Sequence, residues 1–186
     1  MKNNIIFLDI DGVLNGYNYL NLIGYHISSF FHLNKLYKLC TRSPFTIHKE
    51  KVKRLSKIVK ATNSKIVMSS SWRFGFWNDP YDKKADDQKL LVDLFKKYNI
   101  EVIDITPSDI HSRRYVEINE WLFKHNDEVN NFVVLDDENY DLLCFVDKEL
   151  VQTSSVPRGT MINGHWYENT GLKMKHVKKA IEILNK

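Results

Sequence analysis

Apolar positions in this chain fall into short unbroken runs, separated by longer segments in which they recur at helical spacing. Ile5-Ile6-Phe7-Leu8, Ile66-Val67-Met68 and Phe132-Val133-Val134-Leu135 are continuous and bounded by polar residues. Such runs predict strands buried on both faces, as in a parallel sheet. Ile100 to Ile105 alternates weakly and reads as another strand. Glu149-Leu150-Val151-Gln152 reads as a last short one. Between them, Thr46 to Thr62 sets Val52, Leu55, Ile58 and Val59 on an inner stripe. Lys49, Lys51, Lys53, Arg54, Lys57 and Lys60 make its outer face, read as solvated. Asp87 to Tyr98 turns Leu90, Leu91, Leu94, Phe95 and Tyr98 inward. Arg113 to Asn126 does the same with Tyr115, Ile118, Trp121 and Leu122, with Ser112 placed to cap the helix. Leu172 to Leu184 closes the chain with Met174, Val177, Ala180, Ile181 and Leu184 on its stripe. Strands thus alternate with helices throughout. The expected fold is α/β, a three-layer Rossmann-like parallel sheet with helices on both faces.

Three stretches break that rhythm. Tyr17 to Phe45 is dense in aromatic and aliphatic residues and is a candidate small insertion or extra core. Phe74 to Asp82 is aromatic and loop-like, with Gly75, Trp77 and Pro80. Residues 153–167 hold Pro157, Gly159 and Gly164 and are a second candidate insertion. The length of 186 residues suits one domain, 1–186, with a sizeable core. A composition 43% hydrophobic and 27% charged is that of an ordinary soluble globule. Neither a signal peptide nor a membrane span is visible. Cys40 and Cys144 form no Cys-x-x-Cys pair, which argues against a zinc site or disulfide framework and fits a reducing, cytoplasmic setting. A net charge of +4 permits a phosphate-bearing partner without demanding one.

The chemistry sits where the strands run out, the edge at which ligands of open parallel sheets gather. Asp9 and Asp11 end the first run. Strand alternation would point both to the same side, and two carboxylates that close need a cation or proton between them. Gly12 lets the backbone turn away. Ser69, Ser70 and Ser71 end the second run, as hydroxyl donors suited to a phosphate, and Arg73 adds a charged fork. Arg113 and Arg114 enter the first turn of a helix, where a cation opposes the dipole unless it faces bound anions. Asp136, Asp137, Glu138 and Asp141 crowd the end of a later strand. Their repulsion would be relieved by a divalent cation with a preference for oxygen.

In sum, Asp9-x-Asp11-Gly-Val-Leu-Asn15, the serine-ended strand, the basic residue and Asp136-Asp137-x-x-x-Asp141 resemble the four motifs of the haloacid dehalogenase-like (HAD) phosphohydrolases. Ser-Ser-Ser-Trp-Arg, Arg114-x-x-Glu117-Ile118 and Thr170-Gly171-Leu172 before a basic helix resemble, more narrowly, the phosphatase domains associated with RNA-repair proteins. Residues 17–45 and 153–167 depart from that pattern. The resemblance implies a Mg2+-dependent phosphatase in which Asp9 attacks phosphorus and Asp11 is the general acid and base. Asp9, Asp11 (through its carbonyl) and Asp136 or Asp137 would hold Mg2+. Ser70, with Ser69 the near alternative, and Arg114, preferred to Arg113, would bind the phosphoryl group. Ser71, Arg73 and Gly12 would line the substrate. The segments between motifs leave no room for a large cap domain. An open site favours bulky substrates, and Trp72, Trp77 and Arg73 suit a polynucleotide terminus. Three other classes compete. A phosphoreceiver domain would carry a lone acceptor aspartate where the middle strand here ends in serines. A nucleic-acid-binding module gives no reason for two acidic clusters, and a Mg2+-dependent nuclease would cleave strands instead of releasing phosphate.

Overall fold

The computed structural model describes residues 2–15, 27, 30–32, 46–108, 113–153, 161–162, 165–166 and 171–186. Strands β1 (Asn3–Leu8), β2 (Lys65–Met68), β3 (Val102–Ile105), β4 (Val129–Asp136) and β5 (Leu150–Gln152) form a five-stranded sheet in the order β3-β2-β1-β4-β5. Every pairing in it is parallel. Around it lie α1 (Lys49–Thr62), α2 (Arg73–Asn78), α3 (Asp86–Tyr98), α4 (Arg114–Lys124) and α5 (Met174–Leu184). The chain builds outward from β1 to β3, then returns past β1 to β4 and β5. That reversal puts the topological switch point beside β1.

The continuous apolar runs are explained by burial on both sides. Ile6, Leu8, Ile66, Met68, Val133 and Leu135 join one core, with Leu55 and Ile58 of α1, Leu91 of α3 and Val177 of α5. Ile5, Phe7, Val67 and Val134 face the other, with Ile118 and Trp121 of α4. Phe7 is fully buried and meets Trp121 edge-on at 5.4 Å between ring centroids. The three-layer α/β expectation is met. Among the described residues no helix is long and apolar enough to cross a membrane.

Local departures have local causes. Residues 73–78 are helical, not loop, because α2 packs Phe76 against Phe95 of α3 and overrides the Gly and aromatic signal. Lys51 is not on a solvated face: it is 7% exposed, and its ammonium donates to the Asn15 carbonyl at 2.6 Å. Met174 is exposed, while Ile183 takes a buried place. Residues 161–162 and 165–166 pair as a two-stranded antiparallel ribbon, β6 (Met161–Ile162) and β7 (His165–Trp166), inside the irregular stretch. Ser112, the expected cap, Cys40 and most of 17–45 lie outside the described residues. The carboxylate of Asp141 instead accepts the first free backbone N–H of α4, from Arg114, at 2.9 Å. That gives Asp141 a structural reason to stand in the acidic cluster.

Candidate active site

The parallel ladder continues one residue past the strands on the carboxyl edge. Asp9 donates its N–H to the Leu135 carbonyl at 2.9 Å, Ser69 to Leu8 at 2.9 Å, Thr106 to Met68 at 3.0 Å and Thr153 to Asp136 at 2.8 Å. Asp9, Ser69, Thr106 and Asp136 therefore stand in one row, with Thr153 one residue further along, all fixed by backbone bonds and not by loop conformation. Sheet register brings three separate sequence motifs to one site.

Asp9, Asp136 and Asp137 are buried, and each offers a carboxylate oxygen to a group whose members all lie within 4.8 Å of one another. Arg114, at the start of α4, reaches into this group. One guanidinium nitrogen donates to Asp9 Oδ1 at 2.9 Å and lies 3.4 Å from Asp136 Oδ2. The same nitrogen donates to the Ser69 carbonyl. Arg113 is exposed, so the structure brings Arg114 and not its neighbour to the aspartates. Burial opposes the charge of Arg114, but Asp9, Asp136 and Asp141 outweigh it and raise the group's pKa, so it stays a cation. These anions also offset its unfavourable position at a helix N-terminus.

Burial pushes the Asp9 carboxyl up, against the pull of Arg114 and a hydrogen bond from Ser70. Asp136 is also raised, by burial and then by the charge of Asp9, although Arg114 and the Glu138 N–H act the other way. Two carboxylates still raised with an arginine between them form a donor set short of positive charge. Oxygen donors so arranged fit a hard divalent cation such as Mg2+, which takes one or two carboxylates and completes its shell with water and phosphate oxygens.

Asp11 is not in that carboxylate group. β1 ends at Leu8, and the chain enters a helical turn in which the Ile10 carbonyl accepts from Leu14 N–H at 2.9 Å. Strand alternation therefore does not extend to Asp11. Its half-exposed carboxylate accepts from Asn15 Nδ2 at 2.7 Å, while Asn15 Oδ1 accepts the Gly12 N–H at 2.7 Å. Gly12 adopts a φ of 70°, a left-handed conformation that favours glycine. Its carbonyl accepts from Thr153 Oγ1 at 2.8 Å. The Gly12 N–H is thus engaged by Asn15 and not directed at a substrate. A second glycine, Gly171 (φ 65°), lets the chain pass close to Lys51 and the Val13 carbonyl; a Cβ there would lie 2.7 Å from Lys51 Nζ. Leu172 N–H then bonds the Val13 carbonyl at 2.9 Å and anchors the start of α5 to the aspartate turn.

The serines divide. Ser69 and Ser70 are buried and Ser71 is exposed. The Ser69 hydroxyl has no partner, and that of Ser70 bonds Asp9. Arg73, expected to present a fork to phosphate, is 5% exposed and paired with Glu117 at 3.0 Å. Asn15, Lys51, Thr153 and Glu117 all act on the site through neighbours. Asn15 was visible as the last residue of the first motif. Glu117 was visible in the Arg114-x-x-Glu117-Ile118 pattern, whereas Lys51 and Thr153 carry no local signal, because their partners lie far away in sequence.

A buried aspartate group at the switch point of a three-layer parallel sheet, with serines on the adjoining strand and an arginine between them, defines a HAD-like hydrolase. Residues 5–157 match the family described as the HAD domain in Swiss Army Knife RNA repair proteins, and the chain belongs to that family. Membership indicates a hydrolase of the phosphatase type, and the aspartate group fits the divalent metal that such domains use. Neither the curated proteins nor the solved structures contain a match to the chain.

Proposed function

We propose that the chain hydrolyses a phosphomonoester at the terminus of a polynucleotide, through an aspartyl-phosphate on Asp9. The observation that carries this reading is the single row of Asp9, Ser69 and Asp136, with Arg114 bonded to all three residues. The family's association with RNA repair supports a nucleic-acid end as substrate.

In the first half-reaction an Asp9 carboxylate oxygen bonds phosphorus as the bond to the ester oxygen breaks. That leaving oxygen takes its proton from Asp11, which Asn15 holds in place. In the second, Asp11 takes a proton from water, the water oxygen attacks phosphorus, and the bond to Asp9 breaks to release phosphate. Arg114 and the Ser70 hydroxyl neutralise and orient the phosphoryl oxygens. Asp9, Asp136 or Asp137 and the carbonyl of Asp11 would hold Mg2+, which supplies charge stabilisation for the phosphoryl oxygens.

The test is phosphate release from oligonucleotides with 3′- or 5′-phosphates, from phosphopeptides and from small phosphate esters, with and without Mg2+. Release from oligonucleotide ends, dependent on Mg2+ and without strand scission, is the expected result. Much faster release from small metabolites would discard the polynucleotide substrate, and scission of end-labelled strands would point to a nuclease.

A further inference from the structure

Arg73 is placed where a phosphate ligand was expected, yet it is turned inward. Its guanidinium donates to the Ser70 carbonyl at 3.3 Å and to Glu117 Oε1 at 3.0 Å. The other oxygen of Glu117 accepts from Thr106 Oγ1 at 3.4 Å. Glu117 lies on α4 three residues after Arg114, so both project from one face of that helix. Arg114 in turn donates to the Ser69 carbonyl. Two consecutive carbonyls of the serine turn are therefore each held by an arginine. One of these arginines is on α4; the other is locked to α4 through Glu117. The bonds close a ring: serine turn, Arg73, Glu117, α4, Arg114, and back to the serine turn.

The pair is a poor stabiliser in itself. Both side chains are more than nine-tenths buried, and Arg73 Nε has no partner. Desolvating two ions commonly cancels their attraction, and an unmade hydrogen bond adds to the cost. What the pair does supply is a fixed separation between two groups that must act on the same phosphoryl oxygens. We propose that Arg73 and Glu117 are positioning residues that set the serine turn relative to Arg114, and that Arg73 does not touch the substrate. The catalytic part of this rests on the phosphatase reading above; the mechanical part does not.

The experiment compares wild type with Arg73→Met/Glu117→Met, Glu117→Gln and Arg73→Lys. Two properties are measured: amide hydrogen exchange over 69–73 and 113–117, and kcat and KM on p-nitrophenyl phosphate with Mg2+. The double variant replaces both ions with apolar groups of similar volume, so its melting temperature should hold or rise. Exchange in both segments should nevertheless quicken, with β1 and β4 unchanged. Its kcat should fall about tenfold or more while KM stays within about threefold, since misplacement by an ångström is enough for such losses. Arg73→Lys, which keeps the positive charge but not the planar fork, should recover part of the rate. Exchange identical to wild type in both segments would overturn the proposal. So would an Arg73→Lys variant with normal kcat and a KM raised about tenfold, the mark of a direct substrate contact. A wild-type protein that releases phosphate from nothing refutes the phosphatase reading, and the exchange result then decides the brace alone. If the double variant does not fold, Glu117→Gln carries the same comparison.

Discussion

Arg114 and Arg73 sit at the same sheet edge, each bonded to a carbonyl of the serine turn, and do different work. Arg73 has Glu117 as its counter-ion, and both are closed off from solvent. Arg114 faces Asp9, Asp136 and the backbone-bound Asp141, and its side chain is 25% exposed. One site is neutral and shut. The other has surplus negative charge and an opening. Residue type was the same in both cases, so the local count of carboxylates and the access to water distinguish brace from site.

The comparison breaks most visibly in the rate. Arg114→Met should reduce kcat by about 10²–10³-fold, the loss usual when a donor to developing phosphoryl charge is removed. Arg73→Met should cost about tenfold. Equal losses measured side by side would erase the distinction. The charge surplus predicts the next effect. Asp137→Asn should weaken Mg2+ binding by about 10–100-fold in calorimetry, whereas Glu117→Gln should leave it within about twofold. Unchanged affinity in Asp137→Asn would remove that residue from the metal set. Smaller again is Asn15→Ala, which frees the Asp11 carboxylate from its 2.7 Å partner. A loss of several-fold in kcat, larger for poor leaving groups that need protonation, is expected. Equal losses on all leaving groups would mean that Asn15 only shapes the turn.

The smallest effect concerns a buried group away from both arginines. Burial, then Lys175, Lys173 and Lys179, push the His176 pKa down to about 4 from an unfolded value of 6.5. Its Nδ1 accepts the Lys173 N–H at 3.1 Å. Above pH 6.5 the ring is neutral in both states and nothing is lost. As pH falls from 6.5 to about 4 the unfolded chain takes the proton first, so stability drops. His176→Gln, which offers an oxygen in place of Nδ1, should lose about 2 kcal/mol less across that window. Denaturant titrations of the two proteins at both ends of the window measure it. Parallel pH profiles would show that His176 does not contribute.

Much of this was legible in the chain, for physical reasons. A strand buried on both faces must be apolar at every position, so Ile5–Leu8 and Phe132–Leu135 announced themselves. A parallel α/β sheet puts chemistry at the carboxyl ends, so the pattern of the chain alone gathers Asp9, Ser69, Ser70 and Asp136. Side-chain direction was less legible. Alternation groups Asp11 with Asp9, but the strand stops one residue before Asp9. Arg73 looked like a phosphate fork because its partner, Glu117, lies on a helix beyond the next strand. Lys51 looked solvated because its partner is a backbone carbonyl, which no residue pattern records. For Arg73 and Lys51 the missing information was long-range pairing; for Asp11 it was the residue at which the strand stops.

Asp9→Asn tests most directly whether Asp9 is the nucleophile in that row. Removing one of several crowded, buried carboxylates should leave the melting temperature at or above that of wild type. With that fold intact and Mg2+ present, phosphate release should fall by at least about a thousandfold. An Asp9→Asn protein that turns over near the wild-type rate would contradict the account.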